Sequence, residues 1–523
     1  MTRYIILTAS FILIAQLKAQ TLYMIDQNNA HALISDDGVF FSNQVASTAS
    51  YEIPAGSGNH TMYAMSFWMG GLDVADQLHV AGQTYGSGQD FFAGPIANDY
   101  NSPYYLSTYP SAIWKVTKGE INFHVNNYTA IGYVPDPAIA NWPGNGNVSE
   151  GIAQQLAPYV DVNGDHIYNP ANGDYPYIQG DQAVYVIIND AAGDHTNTGG
   201  DSLGVEIHIM FYQFNSIDAD IENTTFMNVK LFNRSTTNYH DFYFGMWMDY
   251  DLGFAANDYI GCDSTRNLSY VYNGNSTDDG QGGQPGYGAN VPAFGALMLN
   301  EPMGAFMYYN IGGGVTGDPT NASGYYNYLQ GIWQNGDHVL YGGNGYNSGT
   351  TTTETNFMYS GNPYLGTGWN EFSQGNPSGD RRVLMATTGH DFLAAESNCI
   401  DFAFIYNRDS STLENANELL STADFVQNYY DNNIQPCNQI FLANGERTPT
   451  NFLIFPNPSD GKFYVELAES TTLSIYNLNG QLVATENCIV GKNEINLNLN
   501  NGFYIVQLKT TDAISYLKIE VIK

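Results

Sequence analysis

Val205 to Phe214 reads VEIHIMFYQF, and this stretch decides the fold. Apolar side chains recur at alternate positions, the period of two that puts one face of a β-strand into a core. Working outward, runs of the same kind lie at Ala183 to Ile188, Thr225 to Leu231, Asp241 to Met248 and Asp401 to Tyr406. Clusters of Gly, Asn, Asp and Pro separate them, as turns separate strands. The pattern predicts an all-β chain: a large β-sandwich-type body, of one or two packed subdomains, with long loops. Tyr270 to Gly379, rich in Gly, Asn, Thr and Tyr, is expected to supply those loops. One helix is predicted near the end of the body. Leu413, Ala416, Leu419, Leu420, Ala423, Phe425, Val426 and Tyr429 form an apolar stripe close to the 3.6-residue period. It should pack on the end of the last sheet.

The two ends read differently from the body. Residues 1–19 hold Arg3, an apolar run from Tyr4 to Ile14 and a small-residue exit at Ala19, the layout of a secretory signal peptide. No later segment reaches 18 uninterrupted apolar residues, so no transmembrane segment is expected. The body is assigned to residues 20–439, a linker to 440–449, and a compact strand series to 450–523. In that series Phe455-Pro456-Asn457-Pro458 bars helix, Asn479-Gly480 is a two-residue hairpin turn, and Leu517, Ile519 and Val521 alternate to the end. About seven short strands predict a small Ig-like β-sandwich.

FPNPSDGKFYV, LSIYNLNGQLV, NGFYIVQL and the terminal KIEVIK resemble the type A C-terminal sorting domain of the type IX secretion system of Bacteroidota. The resemblance implies an address read by the secretion machinery at the outer membrane, and a product left on the cell surface or shed. The body between about residues 60 and 300 is similar to a group of large exported Bacteroidota proteins with the same tail, through FWMGGLD from Phe67, APYVDVNGDHIYNPANGDYPYIQGDQ from Ala157 and WMDYDLGFAANDYIGCDSTRNLSYVYNG from Trp247. That second resemblance implies one continuous body and supplies no catalytic residues to carry over.

Charge excludes some partners. Lys and Arg total 16 against 51 Asp and Glu, a net of −35, and nearly all of the imbalance precedes Arg447. Such a surface repels nucleic acid and anionic lipid and favours hard cations. Of Cys262, Cys399, Cys437 and Cys488, the pair flanking the predicted helix, Cys399 and Cys437, is the expected disulfide in an oxidising compartment.

The candidate metal ligands are Asp161, Asn163, Asp165, Ile167 (by its carbonyl), Asn169, Asn172 and Asp174. Oxygen donors at alternate positions of a tight turn converge on one point, as Ca²⁺ requires. Two departures from a calcium loop stand out: His166 where Gly is usual, and Asn172 where a bidentate acid is usual. Asp174 or Asp181 is expected to supply the missing charge. Asp249 and Asp251, with Asp258 and Asp263 further on, form a second acidic group that fits a cation or paired carboxylates. Asn189, Asp190, Asp194 and His195 form a third. His124, His208 and His240 lie in strand-like text as core or surface residues. No metalloprotease, esterase, phosphate-loop or paired-cysteine motif is present, and no catalytic residue is nominated. The reading is therefore an exported binding or structural protein, calcium-stabilised and meeting glycan or another surface protein through Tyr- and Asn-rich loops. A secreted hydrolase of polysaccharide is the alternative.

Overall fold

The computed structural model describes residues 21–85, 88–281, 283–346 and 351–437, and in the tail 454–455, 459, 461–467, 471–477, 482–497, 499–509 and 514–523. The predicted signal peptide, the linker, the Asn479-Gly480 turn and the prolines at 456 and 458 lie outside these residues. The chain divides into two compact units. One is Tyr175–Phe441 with the chain up to Tyr159, and the other is Val160–Asp174 with Leu442–Lys523.

The fold is all-β. In the first unit, a nine-stranded antiparallel sheet runs in the order Phe92–Ala93, Gln182–Asn189, Val205–Gln213, Thr225–Asn233, Ser397–Asn407, Ala293–Met298, Leu268–Asn273, Asp258–Asp263, with Ile113–Thr117 also paired to Gln182–Asn189. A seven-stranded sheet runs Met303–Tyr309, Arg381–Thr387, Tyr239–Tyr250, Ala64–Leu72, Val39–Phe40, with Leu78–Gly82 and His390–Phe392 on its flanks. Each of the five body strands picked from the sequence is found, four of them within about two residues of the expected ends, while the strand expected at Asp401 to Tyr406 begins four residues earlier, at Ser397.

The two sheets share one core. Ile207, Ile209 and Phe211 point into it from the first sheet, and Phe67, Phe244, Met246 and Met248 from the second. Rings meet across the gap: Phe40 and Phe211 at 5.1 Å, Tyr250 and Phe294 at 6.2 Å. Edge-to-face and tilted pairs of this kind add about 0.5–1.5 kcal/mol each beyond their burial. Alternation in Val205–Gln213 has a second consequence. Its other face, with Glu206, His208, Met210 and Tyr212, is buried too. Here Trp142 packs on Tyr185 at 5.3 Å, and the backbone N–H of Ile96 donates to Glu206 at 2.7 Å.

The expected helix spans Thr412–Asn433 and lies along strands of the nine-stranded sheet rather than at its end. Tyr429 reaches Phe214 and Phe226, and the Tyr430 hydroxyl donates to Asp401 at 2.5 Å. The Tyr270 to Gly379 stretch is less irregular than its composition suggests. It contributes Ala293–Met298, Met303–Tyr309 and a helix at Ala322–Leu329, whose buried tyrosines act as core residues. His124 also departs from expectation: it sits in the helix Lys118–Asn127, buried, its Nδ1 3.0 Å from the Tyr133 hydroxyl. Thr117 and Glu120 start that helix as a reciprocal cap.

In the second unit the tail is a small sandwich. Ile454–Phe455, Lys462–Leu467 and Gly491–Asn496 form one sheet, and Leu482–Cys488, Thr471–Asn477, Gly502–Lys509 and Ile514–Val521 the other. Phe463, Val465, Leu473, Ile475, Val506, Leu508, Ile519 and Val521 fill its core. Cys488 is a buried free thiol.

Candidate functional site: two carboxylate clusters and an aromatic cleft

The Asp161 loop folds on its own side chains. Asp161 accepts the N–H of Gly164 and of His166, both at 2.7 Å. Asp165 accepts the N–H of Ile167 at 2.9 Å and the side-chain amide of Asn163 at 2.8 Å. Asp174 reaches back and accepts from Val162 and Asn169, each at 2.8 Å. One carboxylate oxygen from each of Asp161, Asp165 and Asp174 lies within 4.8 Å of the others. Asp174 is fully buried, and burial, together with the charges of Asp161 and Asp165, raises its pKa against the pull of its two backbone donors.

Asp174 thus stands where the sequence reading wanted an extra charge, while Asp181 accepts from Asn215 and lies 3.6 Å from Lys118. The Asn169 side chain caps the short turn Pro170–Asn172 by accepting from Ala171, and Asn172 is exposed at the end of that turn. Ile167 is exposed. His166 adopts the left-handed conformation (φ 60°) that this point of the loop demands, which explains why Gly is the usual choice there.

The second cluster forms where Tyr239–Tyr250 leaves its sheet. Asp249 and Asp251 are two apart and project to the same side, as expected of a strand end. The register pairs Tyr250 with Arg381, which brings in Asp380 from the neighbouring strand. Oxygens of Asp249, Asp251 and Asp380 lie within 4.8 Å of one another. Asp249 and Asp251 are 2 % and 7 % exposed. Burial, and for Asp249 the negative charges of Asp251 and Asp380, push both well above the ordinary carboxylate range; Arg382 pulls the other way. The Arg382 Nε stands 3.6 Å from Asp249, its Nη1 3.1 Å from Asp318, and its Nη2 donates to the Tyr85 hydroxyl. Asp380 was missed because it lies far along the chain; only strand pairing makes it a neighbour.

Asp258 and Asp263 are not in this group. Asp258 accepts from the Leu252 N–H at 2.9 Å and holds the turn after the strand. Asp263 pairs with Arg266 at 2.7 Å. The third acidic group is structural. Asp190 accepts the N–H of Leu203 and Val205, both at 2.6 Å, and the His195 ring spans the carbonyls of Val80 and Asp190 at 2.8 and 2.7 Å. His208 is buried between Glu206 and Tyr185, and His240 lies at the surface between Asp76 and Asp241.

The first unit also carries a cleft of about 610 Å³ that the sequence did not disclose. Tyr23, Tyr109, Trp114 and Trp142 line it, with Asn141 and Asn145 among the polar groups. Trp114 is part-exposed on the edge strand Ile113–Thr117, whereas Trp142 is buried and spends its indole N–H on the Pro158 carbonyl at 2.9 Å.

Comparison with known proteins bears on the tail. Residues 453–523 match the family described as the secretion system C-terminal sorting domain. A search of curated proteins finds no match. Among solved structures, similarity is faint. A polysaccharide lyase aligns at 8 % identity and a TM-score of 0.18 over 60 % of this chain, which spans only 34 % of the lyase. A putative aldose 1-epimerase of Escherichia coli K12 aligns at 9 % and 0.24, over 75 % of this chain and 100 % of the other. The BSP domain of a biofilm associated protein aligns at 9 % and 0.13, over 65 % and 60 %. None of these carries a functional argument. Among the described residues no helix is long and apolar enough to cross a membrane. The small sandwich at residues 453–523 is a type IX secretion C-terminal sorting domain, and the chain that bears it is exported to the cell surface or beyond.

Proposed function

We propose that this is an exported binding protein whose body presents the Tyr23–Trp114 cleft, floored by Trp142, to a saccharide and is stiffened by Ca²⁺ in the Asp161 loop. The cleft carries the reading. Indole and phenol faces stack on the apolar faces of sugar rings, and neighbouring amides hydrogen-bond their hydroxyls. A volume of about 610 Å³ accommodates a short oligosaccharide. The loop supports the second half: three converging carboxylates, one of them buried, are more stable together with a hard cation than without one.

The hydrolase alternative has weaker support. A retaining glycosidase needs carboxyl groups about 5–5.5 Å apart with substrate between them. Asp249, Asp251 and Asp380 offer oxygens no more than 4.8 Å apart beside an arginine, a tighter and more buried group.

The test is binding of the secreted protein to a panel of bacterial and plant polysaccharides, read by Trp fluorescence and by affinity electrophoresis. Trp114→Ala should abolish retardation on the polysaccharide that binds, with the melting temperature within a few degrees of the parent. Unchanged retardation would remove the cleft from the binding site, and release of reducing sugar would restore the hydrolase.

A further inference from the structure

We infer that Asp249, Asp251 and Asp380 form a second Ca²⁺ site, inside the sandwich body and independent of the Asp161 loop. The three carboxylates come from two adjacent strand ends whose register is fixed by six backbone partners, Gly245 through Tyr250 against Ala386 through Arg381. Their mutual approach is built by the sheet and does not depend on a flexible loop.

Convergence of acids alone would not point to an ion. The hydrogen bonding does. Oδ1 of Asp249, on a side chain 2 % exposed, has no hydrogen-bond partner, nor has the buried Oδ1 of Asp380. Asp251 beside them is 7 % exposed. Buried carboxylate oxygens ordinarily find donors, because leaving one without costs about 1–3 kcal/mol or more. In the Asp161 loop each carboxylate oxygen of Asp161, Asp165 and Asp174 already accepts one hydrogen bond, which leaves room for an ion without requiring one.

Charge leads to the same place. Three carboxylates face one guanidinium, and Arg382 is already shared with Asp318 and Tyr85. A divalent ion would neutralise the excess. Two oxygens on one Ca²⁺ stand at most twice the bond length apart, about 4.6–5.2 Å. Oxygens of the three acids lie within 4.8 Å of one another, so each pair is close enough to share one ion. A hard cation also suits an all-oxygen set with no sulfur or imidazole in the group. The partly exposed rings of Tyr63 and Tyr85, which touch at 4.8 Å, lie beside the acids; Tyr63 feels the charges of Asp249 and Asp251.

The experiment counts ions. The full secreted chain is freed of metal with chelator, returned to Ca²⁺ at pH 7.5 and examined by native mass spectrometry. Three variants accompany it: Asp251→Asn, Asp165→Asn in the loop, and the double variant. Asp165→Asn should retain one tightly held Ca²⁺, and Asp251→Asn should hold one ion fewer than the parent, with at least a tenfold loss in affinity for the ion removed. Tb³⁺ in place of Ca²⁺ supplies a readout independent of stability, because Tyr85 and the adjacent Trp247 would sensitise its emission; that signal should fall in Asp251→Asn and persist in Asp165→Asn. Equal ion counts in the parent and Asp251→Asn overturn the inference, as does an Asp165→Asn variant that binds none. Failure of the loop alone reads differently: the parent then holds one ion, unaffected by Asp165→Asn and lost in Asp251→Asn.

Discussion

Cys399 and Cys437 are joined as a disulfide, with their Cα atoms 5.9 Å apart and a separation of 38 positions in sequence. The bond ties the strand Ser397–Asn407 to the segment just past the helix Thr412–Asn433, so strand and helix are held as one closed unit. The Cys437 backbone N–H donates to Asp401 at 3.0 Å, and the Tyr430 hydroxyl donates to the same oxygen. Covalent and polar contacts converge on one carboxylate beneath the helix.

Opening that disulfide should cost the body about 3–4 kcal/mol, the chain entropy released by a loop of this length. Cys437→Ser is expected to lower the melting temperature of the protein, and treatment of the parent with reductant should bring it to the same value. A variant that melts with the parent would show that the helix is held by packing alone.

Asp401 supplies a pH dependence. It is fully buried, and burial raises its pKa to about 6 although Tyr430, Cys437 and Asn228 all donate to it. In the unfolded chain it titrates near 3.8. A folded-state pKa above the unfolded one means that the native protein binds the extra proton between these values. Its contribution is complete below about pH 4 and is lost as pH rises through 6, a change of about 3 kcal/mol. The stability of the parent relative to Asp401→Asn, measured from pH 4 to 7.5 by urea unfolding, should therefore fall steadily over that window. A difference independent of pH would mean that Asp401 stays ionised throughout.

The strands were legible because their burial is periodic and local: Ile207, Ile209 and Phe211 announce a core face whatever they meet. The disulfide was legible because the two cysteines flank one helix. Asp380 and the cleft were not, and for a shared reason. Each depends on residues that meet only through pairing across the fold, as Tyr250 pairs with Arg381 and Ile113 with Val186. Composition also misled at Ala322–Leu329, where a Gly- and Tyr-rich text folds as a helix because Asn321 caps it and Tyr328 and Leu329 are buried.

Phe404 tests the shared core. Its ring meets Phe41 edge-on at 5.0 Å and Tyr51 at 5.9 Å, and it is fully buried between the sheets. Phe404→Ala should destabilise the body by about 3–5 kcal/mol through lost transfer energy and the cavity left behind, whereas Phe404→Leu should cost about half as much. Equal costs for the two would indicate that the site collapses around either side chain.

His166 makes the proposed calcium loop improvable. A non-glycine residue in the left-handed region costs roughly 1–2 kcal/mol relative to glycine in the folded state, and His166 stands there at φ 60°. Glycine would remove that strain but has more backbone freedom to lose on folding, about 0.5–1 kcal/mol. It would also lose the imidazole 3.6 Å from Asp161, an exposed contact of little energy whose positive form competes with a cation. The loss of a competing charge matters only when the ion binds. His166→Gly should therefore leave the melting temperature in chelator nearly unchanged and increase the calcium-dependent rise, with a several-fold gain in Ca²⁺ affinity by calorimetry. Asp174→Asn is the counterpart: it keeps the shape of the buried side chain, removes its charge, and should reduce the calcium-dependent rise by more than half. A loop that responds to neither substitution does not hold the ion.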